Sequence, residues 1–150
     1  MSVGRICSRE VHLADPNESA AMAAMRMRNQ QVGTLVVLDD QKRPIGILTD
    51  RDLTVRVMAA GKDPHAATVG EVMTRSPKSV RDDAPIEDAL TQMSELGVRR
   101  MLVVDEERRL AGIVSLDDVL SLLGEEISRI GRLLDRQTAA VVQESQTVAS

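Results

Sequence analysis

At 150 residues with a formal net charge of −4, the chain is long enough for one well-buried core or for two half-sized units sharing one, and it lacks the basic excess that general nucleic-acid binding requires. Its composition, 43% apolar and 28% charged, is ordinary for a globular chain, and no apolar run approaches the roughly 20 residues that span a bilayer. Phe, Tyr and Trp are absent, so the core has to be filled by Leu, Ile, Val, Ala and the eight Met, any flat ligand is sandwiched by aliphatic groups, and aromatic stacking platforms for single-stranded nucleic acid are excluded.

The first residues, MSVGRICSRE, contain no apolar stretch of the kind a secretory signal needs, and one Cys cannot form an internal disulfide, so a cytoplasmic protein is expected. Cys7 has no neighbouring His and reads as a small buried hydrophobe. A short strand is expected near Val11. A helix follows in DPNESAAMAAMRMRNQ, with Asp15 available as cap, Pro16 suited to a first turn, and Ala20, Ala23, Ala24 and Met27 in helical register. TLVVLDD and PIGIL, separated by a polar turn, read as a β-hairpin, and a second helix is expected from about Asp50 to Ala60. AAGKDPHAAT, Ala59 to Thr68, reads as a linker.

The same elements then return. A strand near Val80 precedes DDAPIEDALTQMSELG, where Ile86, Ala89, Leu90, Met93 and Leu96 share a helical face, with Asp82 or Asp83 as candidate N-cap and Gly97 at the C-cap. RMLVVDEE and LAGIV form a second hairpin, and a helix follows from about Leu116 to Gly124. GILTDRDL and GIVSLDDV stand 66 positions apart, and the offset holds throughout: VGRICSR lies over VGEVMTR, Met27 over Met93, Val37 over Val103, Asp39 over Asp105 and Arg43 over Arg109. A period this long is a small folded unit used twice. The expected fold class is α/β (α+β): two β-α-β-β-α repeats, residues 1–62 and 63–124, packed about a pseudo-two-fold axis because neither alone buries enough surface.

Beyond the repeats, Leu123, Ile127, Ile130 and Leu134 follow a 4, 3, 4 spacing, giving a C-terminal amphipathic helix over residues 125–137 and a flexible tail over 138–150. The helix either folds back on its own chain or offers a surface for self-association.

Thr49-Asp50-Arg51-Asp52 and Ser115-Leu116-Asp117-Asp118 share the form S/T-x-x-D between a strand and a helix. A hydroxyl at the N-cap and an acid at N3 make a capping box, which starts helices in any protein. The preceding Gly46 and Gly112 leave room for close approach, a helix N-terminus suits phosphate, and an Asp there can accept both hydroxyls of a ribose. The two roles can coexist.

The doubled unit, TDRDLTVRVMAAGKDP continuing through ATVGEVMTRSP, and GVRRMLVVDEERRLAGIVSLDDV resemble a tandem pair of CBS domains, a Bateman module, over about residues 1–124. The resemblance implies an adenosine-containing ligand (AMP, ADP, ATP or S-adenosylmethionine) with Thr49 and Asp52 in one cleft and Ser115 and Asp118 in the other. It also implies a homodimer. In the family the strand before the motif often carries basic residues. Here VRRMLVVD supplies Arg99 and Arg100 as phosphate partners, while VGTLVVLD has Gly33 and Thr34 at those positions. That departure weakens the case for a triphosphate in any cleft dependent on Gly33 and Thr34, and is compatible with one competent cleft. Arg51 is a further candidate phosphate contact against the default of an exposed helix charge, and Val32, Leu35, Val98 and Met101 are candidates for the base pocket against the default of core packing.

Three functions follow. The leading one is a non-catalytic sensor of an adenosine-containing ligand, with no required cofactor and with output passing to the chain itself or to an unidentified effector protein. The alternative is a ligand-free dimerisation or interaction scaffold that regulates a separate partner. An enzyme is disfavoured: His12 and His65 are isolated, Cys7 has no base in its motif, and the acid pairs Asp39-Asp40, Asp82-Asp83 and Asp117-Asp118 stand at turns or helix starts. His and Cys lack metal-ligand spacing, so no metal site is expected.

Overall fold

Small and unbranched residues in AAMAAMRMRNQ form helix α1 (Ala20–Gln30), which buries Ala20, Ala23 and Met27. Its N-cap is Ser19, whose hydroxyl accepts the Met22 N–H at 3.1 Å. Asp15, the expected cap, instead accepts the Asn17 N–H at 2.8 Å in a turn ahead of the helix. Glu18 ties this corner together: it pairs with Arg26, whose second amino group reaches Glu18 Oε2 at 2.7 Å, and Arg26 also donates to the Leu13 carbonyl at 2.8 Å. The computed structural model describes residues 1–149 and divides into two units, Met1–Ser115 and a second beginning at Leu116.

In the first unit, strand β1 (Leu13–Ala14) runs parallel to β2 (Thr34–Leu38), which pairs antiparallel with β3 (Pro44–Thr49). The expected strand near Val11 thus begins two residues later. After Thr49 come a single helical turn, α2 (Asp50–Asp52), and a π-helical segment, Leu53–Met58. The second sheet repeats the plan: β5 (Ser79–Arg81) is parallel to β6 (Arg100–Val104), and β7 (Leu110–Ser115) closes the hairpin. Helix α4 (Ile86–Leu96) starts after Pro85 rather than at Asp82 or Asp83, and ends at Gly97 in the left-handed conformation, φ 65°. At the equivalent end of α1 that conformation, φ 55°, falls to Gln31.

Each repeat is completed by the first residues of the other. The start of the second repeat forms α3 (Val69–Val72) and β4 (Thr74–Arg75), and β4 pairs with β3 of the first. The start of the first repeat forms a 3-10 turn (Val3–Arg5) and an extended Ser8 that bridges Ile113 in β7. The reciprocity holds bond by bond. Val3 N–H donates to Ala84 O and Val69 N–H to Glu18 O, both at 2.9 Å; Gly4 donates to Asp82 O at 2.8 Å and Gly70 to Pro16 O at 2.9 Å. Every one of these pairs maps onto its mate by the 66-residue offset, which is the signature of a pseudo-two-fold arrangement. The architecture is a mixed α/β pair of repeats followed by a C-terminal helix.

Two aliphatic cores result. One gathers Ala23, Leu35, Val37, Leu48, Val69 and Val72; the other gathers Val3, Val80, Ala89, Met101, Val103 and Val114. Cys7 is partly buried against the second, its thiol 3.6 Å from the Gly4 carbonyl. The two hairpin turns touch, Leu110 N–H donating to Lys42 O at 2.9 Å. The mate of that bond cannot form, because position 44 is Pro and has no N–H.

The second unit is one helix, α5 (Leu116–Ala149). It passes Gly124 without a break and continues through the residues read as a tail, so the boundaries at 125, 137 and 138 do not mark helix ends; Ser150 lies outside the described residues. Val119 is its buried residue.

Candidate functional site

At the end of β3 the chain must turn from strand to helix, and Thr49 makes that turn with φ −110° and ψ 162°. Its hydroxyl accepts the Asp52 N–H at 3.2 Å, while Asp52 Oδ2 accepts the Thr49 N–H at 2.9 Å, a reciprocal capping box. Capping does not exhaust either group. A carboxylate has about four acceptor sites, and a hydroxyl that accepts still has its proton to donate. Asp52 retains 14% of its side-chain surface.

The other Asp52 oxygen, Oδ1, lies 3.8 Å from Arg56 Nε. Arg56 in turn donates to the carbonyls of Val72 and Met73, each at 3.0 Å. These carbonyls sit at the end of α3, where the intrahelical ladder leaves acceptors unpaired. The carboxylate at the motif is therefore wired through one guanidinium to the segment that the other repeat contributes.

The neighbour of the motif across the hairpin is Thr34, directly opposite Thr49 in register. In the second repeat the equivalent pair is Arg100 opposite Ser115. Opposed residues of an antiparallel pair project from the same face, so Arg100 stands beside Ser115 where Thr34 stands beside Thr49. Arg99 is exposed next to it. In the first repeat Gly33 occupies the Arg99 position, and its carbonyl accepts the Asp50 N–H at 3.0 Å. A Cβ on Gly33 would lie 3.0 Å from Asp50 Oδ2. The Asp50 carboxylate thus fills the space beside Gly33, a placement that the S/T-x-x-D pattern gave no reason to expect. Asp117 and Asp118 lie in the first turn of α5.

The remaining candidates divide. Leu35 and Met101, at 0% and 3% exposure, are core-filling side chains with no surface to offer a base; they follow the inward face of β2 and β6. Val32 packs half-buried on the first core, and Val98 is 40% exposed. Arg51 is exposed in the first turn of α2. Gly46 and Gly112 make room for protein rather than ligand: an added Cβ would lie 2.2 Å from Met73 Sδ at Gly46, and 2.4 Å from the Ser8 carbonyl oxygen at Gly112. Those crossing residues belong to the exchanged segments.

A cleft of about 550 Å³ opens at the far end of β3, between Pro44, Ile45, Ser76 and Pro77, with Arg75, Lys78 and Arg108 on its walls. None of the sequence-derived candidates lines it. Its basic residues come from segments distant in sequence, Arg75 and Lys78 in and just after β4 and Arg108 in the turn before β7, which no local pattern brings together. Among the described residues no cluster of three or more His, Cys, Asp or Glu is placed to hold a metal ion, and no helix is long and apolar enough to cross a membrane.

The exchanged β-α-β-β repeats with an S/T-x-x-D turn define a tandem-repeat domain-pair fold. The CBS domain family model matches residues 3–59 and 69–125, and the chain belongs to that family as a tandem pair. Hypoxic response protein 1 of Mycobacterium tuberculosis is 38% identical over 125 residues, covering 83% of this chain and 82% of that one. An uncharacterized protein of Methanopyrus kandleri is 34% identical over 122 residues, 81% of this chain, which spans 62% of its length. The crystal structure of Hypoxic Response Protein I with two coordinated zinc ions superposes with a TM-score of 0.70 at 35% identity, covering 81% of this chain and 98% of that one. The CBS domain pair of protein MJ0100, in complex with 5'-methylthioadenosine and S-adenosyl-L-methionine, gives a TM-score of 0.66 at 28% identity over 82% of this chain and 99% of that one.

Proposed function

We propose that this CBS pair is a non-catalytic regulatory module whose first-repeat motif, Thr49 and Asp52, holds the ribose of an adenosine-containing ligand that is neutral or cationic at its 5' end. 5'-Methylthioadenosine and S-adenosylmethionine have that chemistry; an adenine polyphosphate does not. The single observation that carries the choice is the Asp50 carboxylate beside Gly33, where the second repeat has Arg99. With Asp50 and Asp52 both at the motif, a phosphate about 5 Å away meets a repulsion of about 3 kcal/mol per carboxylate at an effective dielectric near 20, and a sulfonium gains a similar attraction. The complex of the MJ0100 pair supports the same ligand class.

In this reading Asp52 accepts from the ribose hydroxyls and Thr49 donates its free proton. A ligand that draws on Asp52 also loosens or tightens its 3.8 Å approach to Arg56, and through Arg56 the carbonyls of Val72 and Met73. Regulation requires that the ligand favour one packing of the exchanged segment over another.

A second reading is favoured by Arg75, Lys78 and Arg108 around the 550 Å³ cleft: an anionic adenine nucleotide whose phosphates lie there. A thermal-shift panel of 5'-methylthioadenosine, S-adenosylmethionine, AMP and ATP separates the two. A ligand at about 100 times its Kd adds about 2.7 kcal/mol, several degrees for a chain of this size. The first reading expects shifts from the first two compounds that survive Arg75→Ala. ATP as the only stabiliser, with its shift lost in Arg75→Ala, establishes the second instead.

A further inference from the structure

The helical run after the first motif and its counterpart after the second are wound differently. Leu53–Met58 is a π-helix, with the Ala59 N–H donating five residues back to the Thr54 carbonyl at 2.8 Å. The equivalent residues, 119–124, lie inside the unbroken α-helix α5. The same step of the repeat thus occurs in both windings, and π turns are rare and concentrate at functional sites.

Two side chains hold the π winding of the first repeat. Thr54 Oγ1 donates to the Asp50 carbonyl at 3.0 Å. Arg56 donates to the carbonyls of Val72 and Met73, each at 3.0 Å, while its Nε stands 3.8 Å from Asp52 Oδ1. In the second repeat the 66-residue offset puts Leu120 and Leu122 at these two positions, and a leucine side chain has no proton to donate. Loss of both holds therefore goes with the α winding. The anionic end of the hold is Asp52. At 3.8 Å its contact with Arg56 is an attraction between charges rather than a hydrogen bond, so hydroxyls that draw on the carboxylate weaken it directly. The Arg56 side chain is 46% exposed, and water can take up the donors it withdraws.

We propose that this π turn is the regulatory element of the first repeat and that Arg56 is its positioning residue. With Asp52 free, Arg56 stays on the Val72 and Met73 carbonyls and the turn stays π. A ribose on Asp52 releases Arg56, the turn rewinds to α as in the second repeat, and the α3–β4 segment loosens. Because α3 and β4 open the second repeat, occupancy of the first motif is reported across the pair. The proposal rests on the ribose reading of Asp52 and gives its output a direction. Coupling is reciprocal, so weakening the hold of Arg56 favours the ligand.

One arm of the test needs no ligand. Thr54→Leu/Arg56→Leu gives the first repeat the residues of the second, and NMR couplings through the hydrogen bond identify the carbonyl that accepts the Ala59 N–H. The acceptor is expected to move from Thr54 to Val55; a π turn that persists overturns the two windings. The other arm follows hydrogen exchange at Met73, whose N–H donates to the Val69 carbonyl at 2.9 Å, and in β4. It is measured with and without saturating 5'-methylthioadenosine, a neutral probe with no charge of its own to act on Arg56. The wild type is expected to exchange there about fivefold or more faster when bound. Arg56→Met and the more polar Arg56→Gln, checked for folding by circular dichroism, are expected to exchange fast already without the probe and to change no further with it. Their Kd should fall below that of the wild type by about the same fivefold factor. A purely structural Arg56 also gives fast exchange but leaves the Kd unchanged or raised, and that result overturns the coupling, as does a bound wild type whose exchange stays the same. Absence of binding in calorimetry overturns the ribose reading and the ligand coupling with it, while the ligand-free arm still decides the winding.

Discussion

Ser8 and Ile113 exchange two backbone hydrogen bonds, Ser8 N–H to Ile113 O at 2.8 Å and Ile113 N–H to Ser8 O at 2.9 Å, although they come from opposite ends of the Met1–Ser115 unit. The N-terminal segment is thereby the edge of the second sheet, with Val3 wholly buried in its core. Removing residues 1–8 should expose the β7 edge and unfold the second repeat first. Hydrogen exchange is expected to show loss of protection in β5 to β7 before β1 to β3; uniform loss would contradict the reciprocal plan.

The two crossing glycines differ in what they meet. Gly112→Ala drives a methyl to 2.4 Å from the Ser8 carbonyl, which is backbone, whereas Gly46→Ala meets Met73 Sδ, the far end of a flexible side chain. Overpacking costs about 1–3 kcal/mol, and Gly112→Ala belongs at the upper end, Gly46→Ala at the lower. Urea denaturation followed by circular dichroism, the suitable probe for a chain with no Trp or Tyr, measures the difference.

Gln31 holds the left-handed position that Gly97 holds in the other repeat. Gln31→Gly relieves a side chain of about 1 kcal/mol of strain, partly offset by the greater freedom of glycine in the unfolded chain. The expected outcome is a stability gain of a few tenths to about 1 kcal/mol by the same denaturation assay, and Gly97→Ala should lose a comparable amount or more.

Asp83 is held below the usual carboxylate range, chiefly by its hydrogen bond from Arg81, with Nε at 2.9 Å and an amino group at 2.7 Å. A depressed folded-state pKa contributes stability above the ordinary carboxylate pKa and loses it as pH falls through the depressed value. Arg81→Ala should return the Asp83 titration midpoint, followed by carboxyl carbon NMR, toward the ordinary range. At 63% side-chain exposure the pair is solvent-screened, so stability near neutral pH should barely change.

Much of this arrangement was legible in the sequence. The 66-residue offset announced the repeat, and Ala20, Ala23 and Met27, like Ile86, Ala89 and Met93, marked the buried helix faces by spacing alone. Thr49 and Asp52 were legible as a capping pair because the chemistry is local. The exchange of edge segments was not legible: β4 has two residues and Ser8 is a lone bridge, too short to show strand periodicity, and their partners are non-local. For the same reason Gly46 and Gly112 looked like space for a ligand. Asp50 beside Gly33 depends on hairpin register, which no pattern within DRD reveals. Gly124 looked like a stop, but Leu116 to Ala149 is wound as one helix, since a single glycine lowers helix propensity without ending it.

Asp52 as the acceptor of a ribose is the central assignment for the first repeat. Calorimetric titration of 5'-methylthioadenosine into the wild-type chain and into Asp52→Asn tests it, because Asn keeps an acceptor for the Thr49 N–H and so preserves the helix start. Saturable binding by the wild type, weakened at least 10-fold in a variant that melts within a few degrees of it, is the expected result. Equal affinity in the two chains, or no binding by a folded wild type, would contradict the assignment.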